Sequence, residues 1–200
     1  MTNNMKKAII VHGMPSKTEY LISTNPAPSN AHRFPWLQKQ LIMNDILAQT
    51  PEMPTPYEPR YEEWKSVFEQ FQIDAETVLV GHSCGAGFLI RWLSENKIKV
   101  GPVMLVAPWI DPSHEDRNLI GDFFDFTINP TLSDRTHGVT IFISNDDDKS
   151  MLKSVEVLES TIKDHQTKRF EDKGHFTIGG MGTDEFPELL QEILKKSKLD

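Results

Sequence analysis

Short apolar runs alternate along this chain with longer stretches in which apolar residues recur every three or four positions. The runs at 6–11, 77–80, 103–107 and 139–143 are rich in Val, Ile and Leu and too short for ordinary helices, so they read as buried strands. A run at 167–170 and a short strand at 46–53 complete the predicted strands. Helical spacing marks Phe34, Trp36, Leu37, Leu41 and Ile42 in a first helix, and Trp64, Val67, Phe68 and Phe71 in a second over 61–71. It marks Phe88, Leu89, Trp92 and Leu93 in a third that ends near Asn96. Further helices are predicted over 150–162 and 185–196. Residues 16–32, with Pro26, Pro28, Ser29 and Asn30, read as a loop, and Pro51, Pro54, Pro56 and Pro59 punctuate another. Strands that are nearly all apolar and alternate with helices predict a three-layer α/β/α sandwich on a mostly parallel twisted sheet. Residues 1–200 are expected to form one domain. The segment 110–137 shows no clear strand. Its Leu119, Phe123 and Phe124 predict either a short lid over a pocket or a connection packed on the core.

Composition narrows the function classes. With 38% hydrophobic and 25% charged residues and a formal net charge of −8, the chain is acidic and globular in character. That balance argues against nucleic acid or an anionic membrane as partner. The longest nearly uncharged run, 100–110, is too short to span a bilayer. Lys6 and Lys7 precede an apolar run that ends at Val11 and leads into His12-Gly13, which predicts a first strand and not a signal peptide. The one cysteine, Cys84, excludes an intramolecular disulfide, and a cytoplasmic protein is expected.

The chemistry centres on Gly81-His82-Ser83-Cys84-Gly85, set between the strand at 77–80 and the helix that follows. Gly-x-Ser-x-Gly in that setting has the spacing of a nucleophile elbow. A serine forced into so sharp a turn adopts positive φ, and its neighbours two residues either side come too close to carry side chains. The glycine spacing is not that of a dinucleotide site, and no Gly-Lys-Ser/Thr marks a phosphate loop. A serine hydroxyl needs an imidazole to take its proton and a carboxylate to orient that imidazole. His175 follows the last predicted strand, next to Gly174. The other histidines precede a strand, serve local loops or lie in polar segments. Asp146, Asp147 and Asp148 follow the strand at 139–143, and position alone does not choose among them. All these candidates fall at carboxyl ends of strands, where parallel sheets bind ligands. An oxyanion hole is expected from the N–H of Cys84, just after the nucleophile, and that of Met14, after the first strand. The Cys84 side chain is expected to turn inward as inert packing. Trp109, Phe123 and Phe124 are expected to line a modest hydrophobic substrate pocket, with Trp36 more suited to the core.

These features together resemble the small α/β-hydrolase-fold serine hydrolases of the retinoblastoma-binding-protein-9 and YdeN-like group. The resemblance rests on Val11-His12-Gly13, Phe34-Pro35-Trp36-Leu37, the Pro-rich loop leading to Trp64, Gly81-His82-Ser83, Ser144-Asn145-Asp146-Asp147 and Gly174-His175-Phe176. It implies a compact hydrolase sheet without a large cap domain, and it selects Asp147 as the catalytic aspartate. Asp148-Lys149-Ser150-Met151 departs from the group's usual uncharged continuation. The expected activity is cleavage of a small-molecule acyl substrate by Ser83, His175 and Asp147, with neither metal nor organic cofactor. A protein-binding module on the same scaffold, which would take a protein partner, and an acyltransferase or amidase are the alternatives.

Overall fold

The alternation of strands and helices in the computed structural model, which describes residues 5–198, follows the hydrophobic pattern closely. The first half runs β1 (Lys6–Val11), α1 (Lys17–Leu21), α2 (Phe34–Ile42), β2 (Ile46–Gln49), α3 (Tyr61–Phe68), β3 (Val78–His82) and α4 (Cys84–Glu95). The second runs β4 (Val103–Val106), α5 (Arg117–Ile120), β5 (Val139–Ser144), α6 (Lys149–Thr161), β6 (His165–Phe170), α7 (Ile178–Met181) and α8 (Pro187–Lys196). The sheet order is β2-β1-β3-β4-β5-β6, and every neighbouring pair is parallel.

Side chains alternate across the pleat, so each central strand feeds two cores. Ile9, Val11, Leu79, Leu105 and Ile141 face the side covered by α3, α4 and α6. Ala8, Ile10, Val80, Met104 and Phe142 face the side covered by α2 and α8. Trp64 and Phe68 of α3 are fully buried, each side chain contributing about 1.5–3 kcal/mol by leaving water.

The chain moves one way from β1 to β2, then crosses to the other side of β1 to place β3. Right-handed crossovers therefore put α2 on one face and α3 on the other. Loops leaving β1 and β3 diverge at this switch point and open a crevice above the carboxyl ends of the strands.

Segment 110–137 is tied to the core at several points. Ile120, Phe123, Phe124 and Leu132 are buried in the α3/α4 core. Arg91 of α4 anchors the segment, donating to the carbonyls of Asp122 (2.5 Å) and Phe123 (3.0 Å) while pairing with Glu95 at 2.9 Å. Its guanidinium lies 3.6 Å from the Tyr61 ring centroid. Removing it orphans two carbonyls in an apolar site. We therefore expect Arg91→Ala to lose about 2–3 kcal/mol in urea unfolding. Labelling of Ser83 by an active-site probe should stay at the wild-type rate in the same protein.

The sequence pattern missed α1 and placed it in a loop. Its signal is a capping box: Glu19 N–H donates to Ser16 Oγ at 3.1 Å, and Ser16 N–H donates to Glu19 Oε2 at 3.0 Å. The last strand also starts earlier than its apolar run, at His165, because β6 is an edge strand of mixed polarity.

Candidate active site

Ser83 sits between β3 and α4 at φ 54°, ψ −121°, a conformation that a side-chain-bearing residue adopts only when its surroundings enforce it. The enforcing contacts are backbone to backbone. A Cβ on Gly81 would lie 2.5 Å from Ala86 Cα, and one on Gly85 would lie 2.3 Å from the His12 carbonyl oxygen. The second clash cannot be relieved by turning a side chain. Gly85→Ala is expected to cost about 3 kcal/mol or more, seen as a melting temperature lowered by roughly 6–12 °C for a chain of this size.

The helix begins at Cys84, and its thiol is fully buried. Burial pushes that thiol well above the ordinary cysteine range, so Cys84 stays protonated and packs inertly. Among the described residues neither the Cys84 nor the Met14 backbone N–H has an acceptor. Gly13 brings the Met14 loop against the elbow, where a Cβ on Gly13 would lie 3.0 Å from Ser83 Cβ.

His12 orients this loop. Its Nδ1–H donates to the Gly13 carbonyl at 2.7 Å, while Nε2 accepts from Met53 N–H at 3.0 Å. In a trans-planar peptide the carbonyl and the next N–H point in opposite directions. Holding the Gly13 oxygen toward His12 therefore turns the Met14 N–H away from it. Glu52 lies 3.8 Å from Nε2 and favours a charged ring, but burial dominates and lowers the His12 pKa. The neutral ring is also the one whose Nε2 can accept from Met53.

The aspartate run divides into separate jobs. Asp147 carries the contact to His175, whose Nδ1 lies 3.0 and 3.1 Å from the two carboxylate oxygens. The Asp147 side chain is 1% exposed, and Oδ1 also accepts from Asp148 N–H at 2.7 Å. Asp146 instead accepts from Ser144 Oγ (2.5 Å) and from Gly174 N–H (3.0 Å), tying the β5 end to the turn before His175. The Ser144 hydroxyl foremost, then the Gly174 N–H, holds the Asp146 carboxyl below the usual range. Asp148 caps α6 through Ser150 N–H at 2.8 Å.

Ser83 and His175 share one cavity of about 570 Å³. The Ser83 hydroxyl makes no hydrogen bond to another described side chain or backbone group, and Ser83 lines that cavity. One wall comes from the segment just after β1, including Met14, Tyr20 and Pro28; the other includes Thr177 and Ile178. Trp109, Phe123 and Phe124, expected to line a substrate pocket, do not line this one. Trp109 donates its indole N–H to Ser150 Oγ at 3.0 Å and faces α6. Phe124 fills the space left by Gly87, where a Cβ would lie 2.5 Å from its ring. Phe123 is fully buried against Trp64, with ring centroids 5.1 Å apart.

Three further histidines line the cavity, His12, His32 and His82. His82 is buried, and its Nε2–H donates to the His175 carbonyl at 2.9 Å. Burial first, then the Arg33 charge, holds both His32 and His82 below the ordinary imidazole pKa. The His175 ring is flanked by His82, their centroids 4.9 Å apart. Among the described residues no group of His, Cys, Asp and Glu has the arrangement of a metal site, and no helix is long and apolar enough to cross a membrane.

The parallel sheet, the elbow at its switch point and the facing His–Asp pair define an α/β hydrolase. Residues 23–194 match the serine hydrolase family, and the chain belongs to it. The YdeN protein of Bacillus subtilis is 33% identical over 96 residues, a stretch covering 46% of this chain and about half, 50%, of that relative. The crystal structure of the B. subtilis YdeN product superposes with a TM-score of 0.78 at 23% identity, covering 96% of this chain and 98% of that one. Est1E of Butyrivibrio proteoclasticus has the same fold, with a TM-score of 0.70 at 13% identity, covering 100% and 91%.

Proposed function

We propose that this serine hydrolase cleaves carboxylic esters of small, largely apolar acyl groups through an acyl-enzyme. Ser83 attacks the carbonyl, His175 takes its proton and later returns it to the leaving alcohol, and Asp147 orients His175 and stabilises its cation. The N–H groups of Cys84 and Met14 receive the oxyanion. Water activated by His175 then releases the acid. The observation that carries this reading is the buried Asp147 carboxylate on His175 Nδ1, in the cavity that also holds a positive-φ serine. It leaves Nε2 of His175 as the nitrogen available to the nucleophile.

Cavity size and lining support the substrate class. A volume of about 570 Å³ suits a small organic molecule, and Met14, Pro15, Pro26, Phe34 and Ile178 give it apolar walls. The test is labelling with a fluorophosphonate probe, followed by hydrolysis of 4-nitrophenyl acetate, butyrate and octanoate. We expect stoichiometric modification of Ser83, located by peptide mass spectrometry, and turnover of at least the shorter esters. A folded protein that the probe leaves unmodified would refute the proposal.

A further inference from the structure

The turn that carries His175 is held in an unfavourable backbone conformation. Gly174 has φ 50° and Phe176 has φ 52°. The first suits glycine; the second is costly for a bulky side chain and persists only where neighbours over-determine it. Phe176 is fully buried, stacked on Phe186 with ring centroids 5.2 Å apart. Packing of the ring accounts for its burial. It does not account for the direction of the peptide groups on either side of it.

Those peptide groups are gripped from inside the protein. His82 Nε2–H donates to the His175 carbonyl at 2.9 Å. Arg33, at the start of α2, donates from Nη1 to the Phe176 carbonyl. Arg33 is 1% exposed, its Nε and Nη2 have no hydrogen-bond partner, and its guanidinium lies over the Phe34 ring, 5.2 Å from the centroid. No carboxylate lies within ion-pair distance of it among the described residues. A buried guanidinium without a counter-ion is a costly way to satisfy one carbonyl. That cost is informative because the carbonyl belongs to the residue after His175.

We propose that Arg33 and His82 are positioning residues for His175, gripping two consecutive carbonyls so that its imidazole is fixed between Asp147 and Ser83. The inference rests on the reading of His175 as the base. His82 adjoins Ser83 in sequence, so its ring links the nucleophile's own turn to the base's main chain. Asp146 supplies the third point of the clamp through Gly174 N–H, from the far side of the turn. The carbonyl acceptor requires a proton on His82 Nε2. Burial and the nearby Arg33 cation disfavour a second proton, so the ring stays in one neutral tautomer. Arg33 itself is lowered by burial to about 9, which leaves it charged at neutral pH.

Inactivation by a fluorophosphonate tests this, because it requires Ser83 and His175 but little binding of a leaving group. In Arg33→Met and His82→Leu we expect the maximal inactivation rate constant to fall roughly 30- to 100-fold, with the half-saturating probe concentration unchanged. Arg33→Lys and His82→Gln each keep a donor at the right end of the side chain and should stay within about fivefold of wild type. Losses confined to probe affinity, or a Gln variant as slow as the Leu variant, would overturn the proposal. So would wild-type rates in folded Met and Leu variants. If the Met and Leu proteins do not fold, nitrogen-15 NMR of wild-type His82 decides. A protected Nε2–H supports the clamp, and an Nδ1–H tautomer overturns it. A wild type inert to the probe would instead defeat the assignment of the base, and that outcome is separate from any loss seen only in the variants.

Discussion

Ser83→Ala is expected to lower kcat for ester hydrolysis by about 10⁵-fold or more, and His175→Ala by nearly as much. The Ser83→Ala/His175→Ala double variant should be no slower than either single one. The reason is mechanistic. The hydroxyl is a nucleophile only while an imidazole takes its proton, so removing either group removes the same reaction path. On the proposed mechanism residual catalysis then comes from the N–H groups assigned to the oxyanion, those of Cys84 and Met14, which act without the triad and are equally present in all three proteins. Steady-state rates with a 4-nitrophenyl ester, measured for the two single variants and the double, give the comparison directly. Losses that multiply would mean that the two side chains act in separate steps, and would require a different nucleophile or a different base. Circular dichroism should show all three proteins folded, because the Ser83 hydroxyl has no structural partner to lose and His175 is partly exposed, its side chain at 32%.

How much of this site could be read from the chain depended on the range of the forces involved. The elbow was legible because its demands are local. Gly81, Ser83 and Gly85 answer steric contacts within one turn, and the apolar run before them announces the strand. The place of His175 at the same edge of the sheet was legible for a similar reason, since it follows the last strand by one short turn. The job of each aspartate was not. Asp146, Asp147 and Asp148 are alike in type and adjacent. What separates them is whether each carboxylate meets Gly174, His175 or Ser150, which only the folded loop decides. The resemblance selected Asp147, and its contact with His175 is what the geometry adds.

The pocket wall was misread because aromatic content drew attention to Trp109, Phe123 and Phe124. In an α/β sheet the loops at the switch point overhang the crevice, so the polar, proline-containing segment after β1 became the wall. Two signals pointed that way. Ser16-x-x-Glu19 is a capping box and announces α1. Gly87, inside α4 and one turn past the elbow, marks a place where something must approach a helix closely, and the Trp109 carbonyl and the Phe124 ring are what approach. His82 and Arg33 carried no sequence signal for their contacts, because the carbonyls they meet lie far along the chain.

Asp147→Asn is expected to lower kcat by about 10³- to 10⁴-fold while leaving KM within about threefold. The amide keeps the shape of the side chain but not its charge, so it can present an N–H to His175 Nδ1 and favour the wrong tautomer. It also no longer stabilises the imidazolium. Asp146→Asn should lose about 10-fold, because the amide oxygen can still accept from Gly174 N–H but the turn before His175 is held less firmly. Asp148→Asn should be nearly silent, since asparagine caps a helix about as well as aspartate. The three rates, measured on one ester at saturation, therefore form a graded series set by what each carboxylate touches. Equal losses at all three positions would mean that the acidic run acts through its summed charge, and the contact between Asp147 and His175 would then have no special part in the chemistry.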